Sequence, residues 1–322
     1  MADKRKKTKK RGLFYLFPVA VILLCALIFA PKNSELISEK SPYPQSIELI
    51  LSPLEKLDYT KFIKQLDSEL YCKYAYLCSA DTHSAIAEKN SHIKTSPASL
   101  TKIMSVIVLL ENATDLNAEV TVSPKIYDAL YKEGAAMAGF LPGEKAPLYD
   151  LICGAMLPSG AEALAAAADF VAGGDDKLVG LMNEKAADMG LSNTHFENIY
   201  GFDSENHYSN ASEMAHILMY AIENETFREI SGKGQYFVKP TNKHADGFVM
   251  RSSVFGKIGS KRPDDAVILG GKTGYTYDAG LCLATYGEKN GKTYVTVVMG
   301  VEGNHRTEQY QVDDTMYLYN LI

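Results

Sequence analysis

The apolar residues Leu100, Ile103, Met104, Ile107 and Leu110 recur at three- and four-residue intervals, a spacing that predicts a helix beginning near Leu100. Pro97 suits its first turn and Ser96 offers a hydroxyl to cap it. Ser99 then falls within that turn, where unpaired backbone N–H groups and the positive end of the helix dipole lie. "LYDLICGAML" (148–157) and "AEALAAAADFVAG" (161–173) predict two further helices. Pro158, Ser159 and Gly160 break them apart and leave Ser159 at an exposed turn. Earlier, "KYAYLCSAD" (73–81) is rich in β-formers and ends in a turn-like Asp-Thr-His-Ser, which predicts a strand and a hairpin toward "AIAEKN". Near the end, "AVILGGKTG", "GLCLATYGEK" and "TYVTVVMGV" read as successive strands, with Asn290-Gly291 a hairpin signal between the last two, and "EQYQVDDTMYLYNLI" reads as a helical tail. Strands at both ends with helices between predict an α+β fold. Its antiparallel sheet has the first strand joined to the C-terminal ones and is flanked by helices, with a mostly helical subregion.

The longest apolar run lies outside this pattern. "GLFYLFPVAVILLCALIFA", Gly12 to Ala30, has 19 uncharged residues, enough to cross a hydrocarbon core of about 30 Å as a helix. The preceding "MADKRKKTKKR" carries seven Lys/Arg against one Asp, so the positive-inside bias keeps residues 1–11 cytoplasmic and sends the remainder outside. Residues 12–30 are expected to be a transmembrane anchor. The rival is a signal peptide cleaved after "ALIFA", which would make the protein secreted, but the apolar run exceeds the usual length of a signal core. Residues 31–58, with Pro31, Pro42, Pro44 and Pro53 among charges and serines, read as a stalk, and 59–322 as the folded domain.

Charge narrows the function. The net charge is −6, and removing the +6 of the basic tail leaves about −12 on the rest, which offers no basic surface to phosphates and argues against nucleic acid as a partner. Cys72, Cys78, Cys153 and Cys282 show no C-x-x-C spacing and are open to two readings, disulfides or free buried thiols. The seven histidines form no H-x-x-x-H or H-E-x-x-H pattern, so no zinc site is expected; no metal and no cofactor is expected for the domain.

The candidate chemistry lies in three short stretches. Ser99 and Lys102 form an S-x-x-K pair, common by chance when taken alone; Ser159 follows in "PSGAEA", and Lys272, Thr273 and Gly274 in "GGKTGYT". A serine hydroxyl needs an adjacent base to become a nucleophile. Lys102 projects from nearly the same helix face as Ser99, and burial beside a second cation, Lys272, would lower its pKa into a useful range. Gly270, Gly271 and Gly274 leave room for a peptide backbone to lie extended along this strand, with Thr273 and Lys272 facing a terminal carboxylate.

The three motifs in this order resemble those of the serine-type D-alanyl-D-alanine carboxypeptidases, the low-molecular-weight penicillin-binding proteins. The likeness runs from about Tyr74 to the C-terminus and includes "EGAAMAGFLPGE" and "GFDSENHYS", the latter expected to be scaffold or cleft lining. The resemblance implies a penicillin-binding/β-lactamase-like fold and a Ser99 acyl-enzyme that removes the terminal D-alanine of peptidoglycan stem peptides, with β-lactams as inhibitors. It also implies an oxyanion hole from the N–H groups of Ser99 and Tyr275, and Ser159 as proton relay to the leaving amine. One position departs: the motif is commonly Ser-x-Asn, and here Ala161 stands third, with Glu162 beside it as a candidate substitute. Two rival readings are a β-lactamase, which lacks its expected E-x-x-L-N stretch here, and a non-catalytic peptidoglycan-binding or sensor protein on the same fold.

Overall fold

The computed structural model describes residues 63–66 and 68–322. The readings of 1–11, 12–30 and 31–58 as tail, anchor and stalk lie outside the described residues. Among the described residues no helix is long and apolar enough to cross a membrane.

In chain order the domain opens with β1 (Lys64–Gln65), β2 (Tyr74–Ser79) and β3 (Ala85–Lys89), followed by a 3₁₀ turn, Ala98–Leu100, and α1 (Thr101–Asn112). The helical region adds β4 (Glu119–Thr121), α2 (Tyr127–Lys132), β5 (Lys145–Pro147), α3 (Leu148–Met156), α4 (Ala161–Ala172), α5 (Asp175–Asp188), α6 (Ala211–Ala221) and α7 (Glu225–Ser231). After the hairpin of β6 (Gln235–Val238) and β7 (Phe248–Arg251) come α8 (Ser253–Ile258), β8 (Val267–Thr276), β9 (Gly280–Lys289), β10 (Lys292–Val301) and α9 (Tyr310–Tyr319). The hairpin between β9 and β10 turns on Asn290 and Gly291, both at positive φ, as a two-residue type I′ connection requires.

The main sheet runs β1-β3-β2-β10-β9-β8, so the first long strand does join the C-terminal ones. Every neighbouring pair is antiparallel except β1 with β3. The sheet is therefore mixed, not purely antiparallel: the two residues of β1 follow β3 in parallel, a pairing too short to leave a pattern in the sequence. β8, which carries Lys272, is the opposite edge.

The helical region covers one face of the sheet. Residues Thr101 to Leu109 of α1 are all buried, as in a helix apolar enough to be surrounded on every side; each large side chain there contributes about 1.5–3 kcal/mol by leaving water. On the other face, Val312 and Met316 of α9 pack with Val254 and Ile258 of α8 against Leu283. Asp314 of α9 accepts the N–H groups of Tyr71 at 3.1 Å and Cys72 at 2.7 Å, tying the C-terminal helix to the start of β2. Cys72, Cys78, Cys153 and Cys282 are free and buried; they are the thiols of the two readings, not disulfides.

The expected cap of α1 is not made. Ser96 donates instead to Asp203 Oδ1 at 2.7 Å, and the helix is entered through the 3₁₀ turn with no side-chain cap. A carboxylate from a distant loop is a stronger acceptor for that hydroxyl than a local exchange with the backbone.

Candidate active site

Ser99 occupies the 3₁₀ turn that leads into α1. Ala98 before it is at φ +48, a left-handed conformation that costs a non-glycine residue about 1–2 kcal/mol. Packing holds it there. Ala98 is fully buried, and Gly274 of β8 comes so near that a Cβ on it would stand 3.2 Å from Ala98 Cβ and 3.3 Å from the Pro97 carbonyl. The glycine of the third motif thus brings the edge strand against the nucleophile's turn.

Lys102, one turn along α1, donates to Ser99 Oγ at 3.1 Å and to the carbonyl oxygen of Tyr200 at 2.8 Å. It is 2% exposed, and this burial lowers its pKa to about 7, against an opposing pull from Glu162. A lysine so placed is neutral for much of the time near neutral pH and able to take a proton.

On the far wall, Lys272 donates to Ser159 Oγ at 2.9 Å and to the Thr273 carbonyl at 2.9 Å. Its pKa is lowered by burial and then by the charge of Lys102. Burial is the leading cause at both lysines, and the repulsion between the two ammonium groups disfavours the charged form of either. Ser159 does lie between α3 and α4, at φ +71, but it is 7% exposed rather than at an exposed turn. The β8 edge and the side chain of Lys272 close over it.

Thr273 is held by Ser253, the first residue of α8, at 2.7 Å between hydroxyl oxygens. Tyr275 packs against His305, ring centroids 4.8 Å apart. Ser99, Lys102, Ser159, Thr273, Gly274 and Tyr275 all border one cavity of about 740 Å³, and Lys272 reaches its wall from beneath. All the residues singled out in the sequence are brought together.

Ala161 also borders this cavity. Glu162 does not take the place of a carboxamide there: its Oε1 accepts the N–H groups of Ala138, Gly139 and Phe140 at 2.7, 2.9 and 3.2 Å. It is fully buried, and its Oε2 has no hydrogen-bond partner. Burial raises its pKa, opposed by those backbone donors. Its work is to hold the segment behind Ala135 and Ala136, which form one wall of the cavity.

Four contributors carry no motif signal. Tyr200 acts through its carbonyl; Gly201 lies under the Ser99 turn; Ser253 positions Thr273; and Asp203 binds both Ser96 and Thr276 Oγ1 at 2.7 Å, joining the two sides of the cleft. Three of them fall in or beside "GFDSENHYS", which is both scaffold and lining. His207 in the same stretch accepts the Glu197 N–H at 3.0 Å through Nδ1, so its Nε2 carries the proton toward Thr101 Oγ1 at 2.8 Å. Burial lowers its pKa to about 4. It is a neutral structural residue.

Residues 61–303 match the family model described as D-alanyl-D-alanine carboxypeptidase. The D-alanyl-D-alanine carboxypeptidase DacF of Bacillus subtilis is 31% identical over 232 residues, 71% of this chain and 57% of its own. DacA of Escherichia coli is 36% identical over 163 residues, 48% of this chain and 38% of its own. The chain thus matches a little over half of DacF and less than half of DacA. The crystal structure of the Streptomyces K15 DD-transpeptidase superposes with a TM-score of 0.72 at 26% identity, covering 80% of this chain and 98% of that one.

Proposed function

The chain belongs to the D-alanyl-D-alanine carboxypeptidase family, and from that premise we propose that it is a serine D-Ala-D-Ala carboxypeptidase acting on peptidoglycan stem peptides. One observation carries the reading: a buried lysine with a pKa near 7 donates to the hydroxyl of Ser99, while a second buried lysine donates to Ser159 across the same cavity.

In this reading the Ser99 oxygen attacks the carbonyl of the penultimate D-alanine as its proton passes to neutral Lys102. The N–H groups of Ser99 and Tyr275 hold the oxyanion. The carbon–nitrogen bond then breaks, and the proton that Lys102 took from Ser99 is relayed to the departing amine through the Ser159 hydroxyl, which Lys272 holds in place; D-alanine leaves and Lys102 is neutral again. Water adds to the acyl ester, Lys102 accepts its proton, and Ser99 is restored with a shortened peptide. Thr273, fixed by Ser253, faces the terminal carboxylate. A β-lactam follows the first half of this path, its ring amide opening on Ser99, and remains attached.

The polypeptide is read as anchored in the cell membrane by 12–30 with its domain outside, supported by the uncharged run and by the basic residues before it. That placement puts the domain beside the cell wall.

Intact-mass measurement after exposure to a penicillin, together with assay of D-alanine released from a D-Ala-D-Ala peptide, tests the proposal. A single adduct on Ser99 and released D-alanine are expected. A folded protein that gives neither overturns the reading and leaves the non-catalytic alternative.

A further inference from the structure

The cavity above Ser99 is the first of three in a row. A second, of about 390 Å³, shares Tyr275 and Tyr277 with it, and a third, of about 460 Å³, shares Lys73 and Glu302 with the second. The sheet explains the alignment. Thr276 pairs with Gly280, Leu281 with Val301, Met299 with Tyr74 and Ala75 with Lys89, so the end of β8, the start of β9, the end of β10, the start of β2 and the end of β3 lie at one margin. A trough along that margin crosses four interstrand spacings, about 19 Å.

Its lining combines two kinds of group. Tyr277 is 92% exposed where the trough leaves the catalytic cavity, and at the far end Tyr71, 61% exposed, stacks on Tyr310 with centroids 4.1 Å apart. Between them stand Lys73 and Glu302, opposite in charge and without a salt-bridge partner among the described residues. Balanced charge is wrong for nucleic acid. A peptide would want a strand edge to pair with, and this trough runs across strand ends, where no edge is offered; the β8 edge lies in the catalytic cavity. Flat aromatic faces alternating with polar groups suit rings that carry C–H faces and a rim of hydroxyl and amide groups.

We propose that this trough binds the glycan backbone, a neutral polymer of N-acetylated sugar rings, laid across the ends of β8, β9, β10, β2 and β3 from Tyr277 to the Tyr71–Tyr310 stack. The inference rests on the peptidoglycan reading of the active site: a stem peptide is attached to such a strand, and the trough holds the strand while the peptide tail enters the cavity.

The test uses the full chain in detergent, titrated with glycan strands freed of peptide by an amidase and then amidated at the lactyl carboxylates this exposes, so that they stay neutral, alongside turnover of a short soluble D-Ala-D-Ala peptide. Wild type and Ser99→Ala should bind the strands equally. Tyr71→Ser should weaken strand binding by about fivefold or more, the contribution of one well-placed ring face. Glu302→Ala, at an exposed position that packs no core, should weaken it in the same direction and keeps the test open if Tyr71→Ser folds poorly. Both should turn over the soluble peptide within about twofold of wild type. Wild type that ignores the stripped strands, or variants that bind them undiminished, would overturn the trough. So would an equal loss on the free peptide, which would make the trough a peptide site. If no form turns over peptide yet Tyr71→Ser loses strand binding, the trough stands and the carboxypeptidase reading falls.

Discussion

A Cβ placed on Gly201 would lie 1.8 Å from the carbonyl oxygen of Ala98 and 2.8 Å from the amide nitrogen of Ser99. Gly201 sits at φ +89 and Ala98 at φ +48, so two left-handed residues from distant parts of the chain meet backbone to backbone beneath the nucleophile. Gly201→Ala must push the Ser99 turn aside. Misplacement of a reacting group by about 1 Å costs about a hundredfold in rate, and acylation by a β-lactam should fall by that order, with a lowered thermal midpoint. Stopped-flow acylation and a thermal melt read the two effects; acylation at the wild-type rate in a folded variant would show that the turn tolerates the shift.

The contact of Lys102 with Ser99 sets a second expectation. Ser99→Ala should abolish penicillin labelling and leave the fold intact, because a half-buried hydroxyl is removed without loss of apolar packing. Lys102→Ala should stay folded and acylate about 10²–10⁴-fold more slowly, the usual worth of a positioned general base. Intact-mass time courses distinguish the two. An adduct on Ser159 in place of Ser99 would remove the mechanism.

Lys102 works as a base only when unprotonated, so with its pKa near 7 the acylation rate should rise as pH increases through about 7. The charged groups bearing on it are Glu162, whose carboxylate raises its pKa, and Lys272, whose own pKa is lowered by burial and then by Lys102. Glu162→Gln removes the negative charge and keeps an oxygen to accept the three N–H groups of Ala138 to Phe140. The Lys102 pKa should then drop, and the limb of the pH–rate profile should move to lower pH. A limb that stays in place, or moves upward, would show that Glu162 does not act on the base.

How far this arrangement was readable without coordinates depends on whether side-chain type or backbone geometry performs each task. Ser99, Lys102, Ser159 and Lys272 announce themselves because the chemistry demands those side-chain types and their order along the chain matches the motifs of the family it resembles. The β9–β10 hairpin was legible for a similar reason, since Asn-Gly suits two consecutive positive φ angles. Tyr200 was not, because the atom that holds Lys102 is a carbonyl oxygen, which every residue has. Ser96 looked like a cap on local grounds, but its hydroxyl is drawn to Asp203, far along the chain, and no side chain caps the helix. Glu162 was adjacent to the missing carboxamide in sequence, yet its side chain turns to the segment beyond Ala136. Adjacency in a helix does not mean a shared direction.

Ala161 gives the last prediction. The carboxamide usual at this position would touch both the lysine and the substrate's peptide group. Here the lysine already has two acceptors, Ser99 Oγ and the Tyr200 carbonyl, so what Ala161 omits is the contact to substrate. Glu162 does not supply it, being engaged with backbone amides. A hydrogen bond within a charged, dehydrated cleft is worth about 1.5–3 kcal/mol, about one to two powers of ten in rate if it forms mainly in the transition state. Wild-type turnover should be modest, while penicillin acylation remains readily detected because nucleophile and base are intact. Ala161→Asn should raise kcat/KM on a D-Ala-D-Ala peptide toward that limit with little change in the thermal midpoint. A value unchanged or lower in a variant that folds like wild type would mean that another group already holds the substrate amide, and this account of Ala161 would fail.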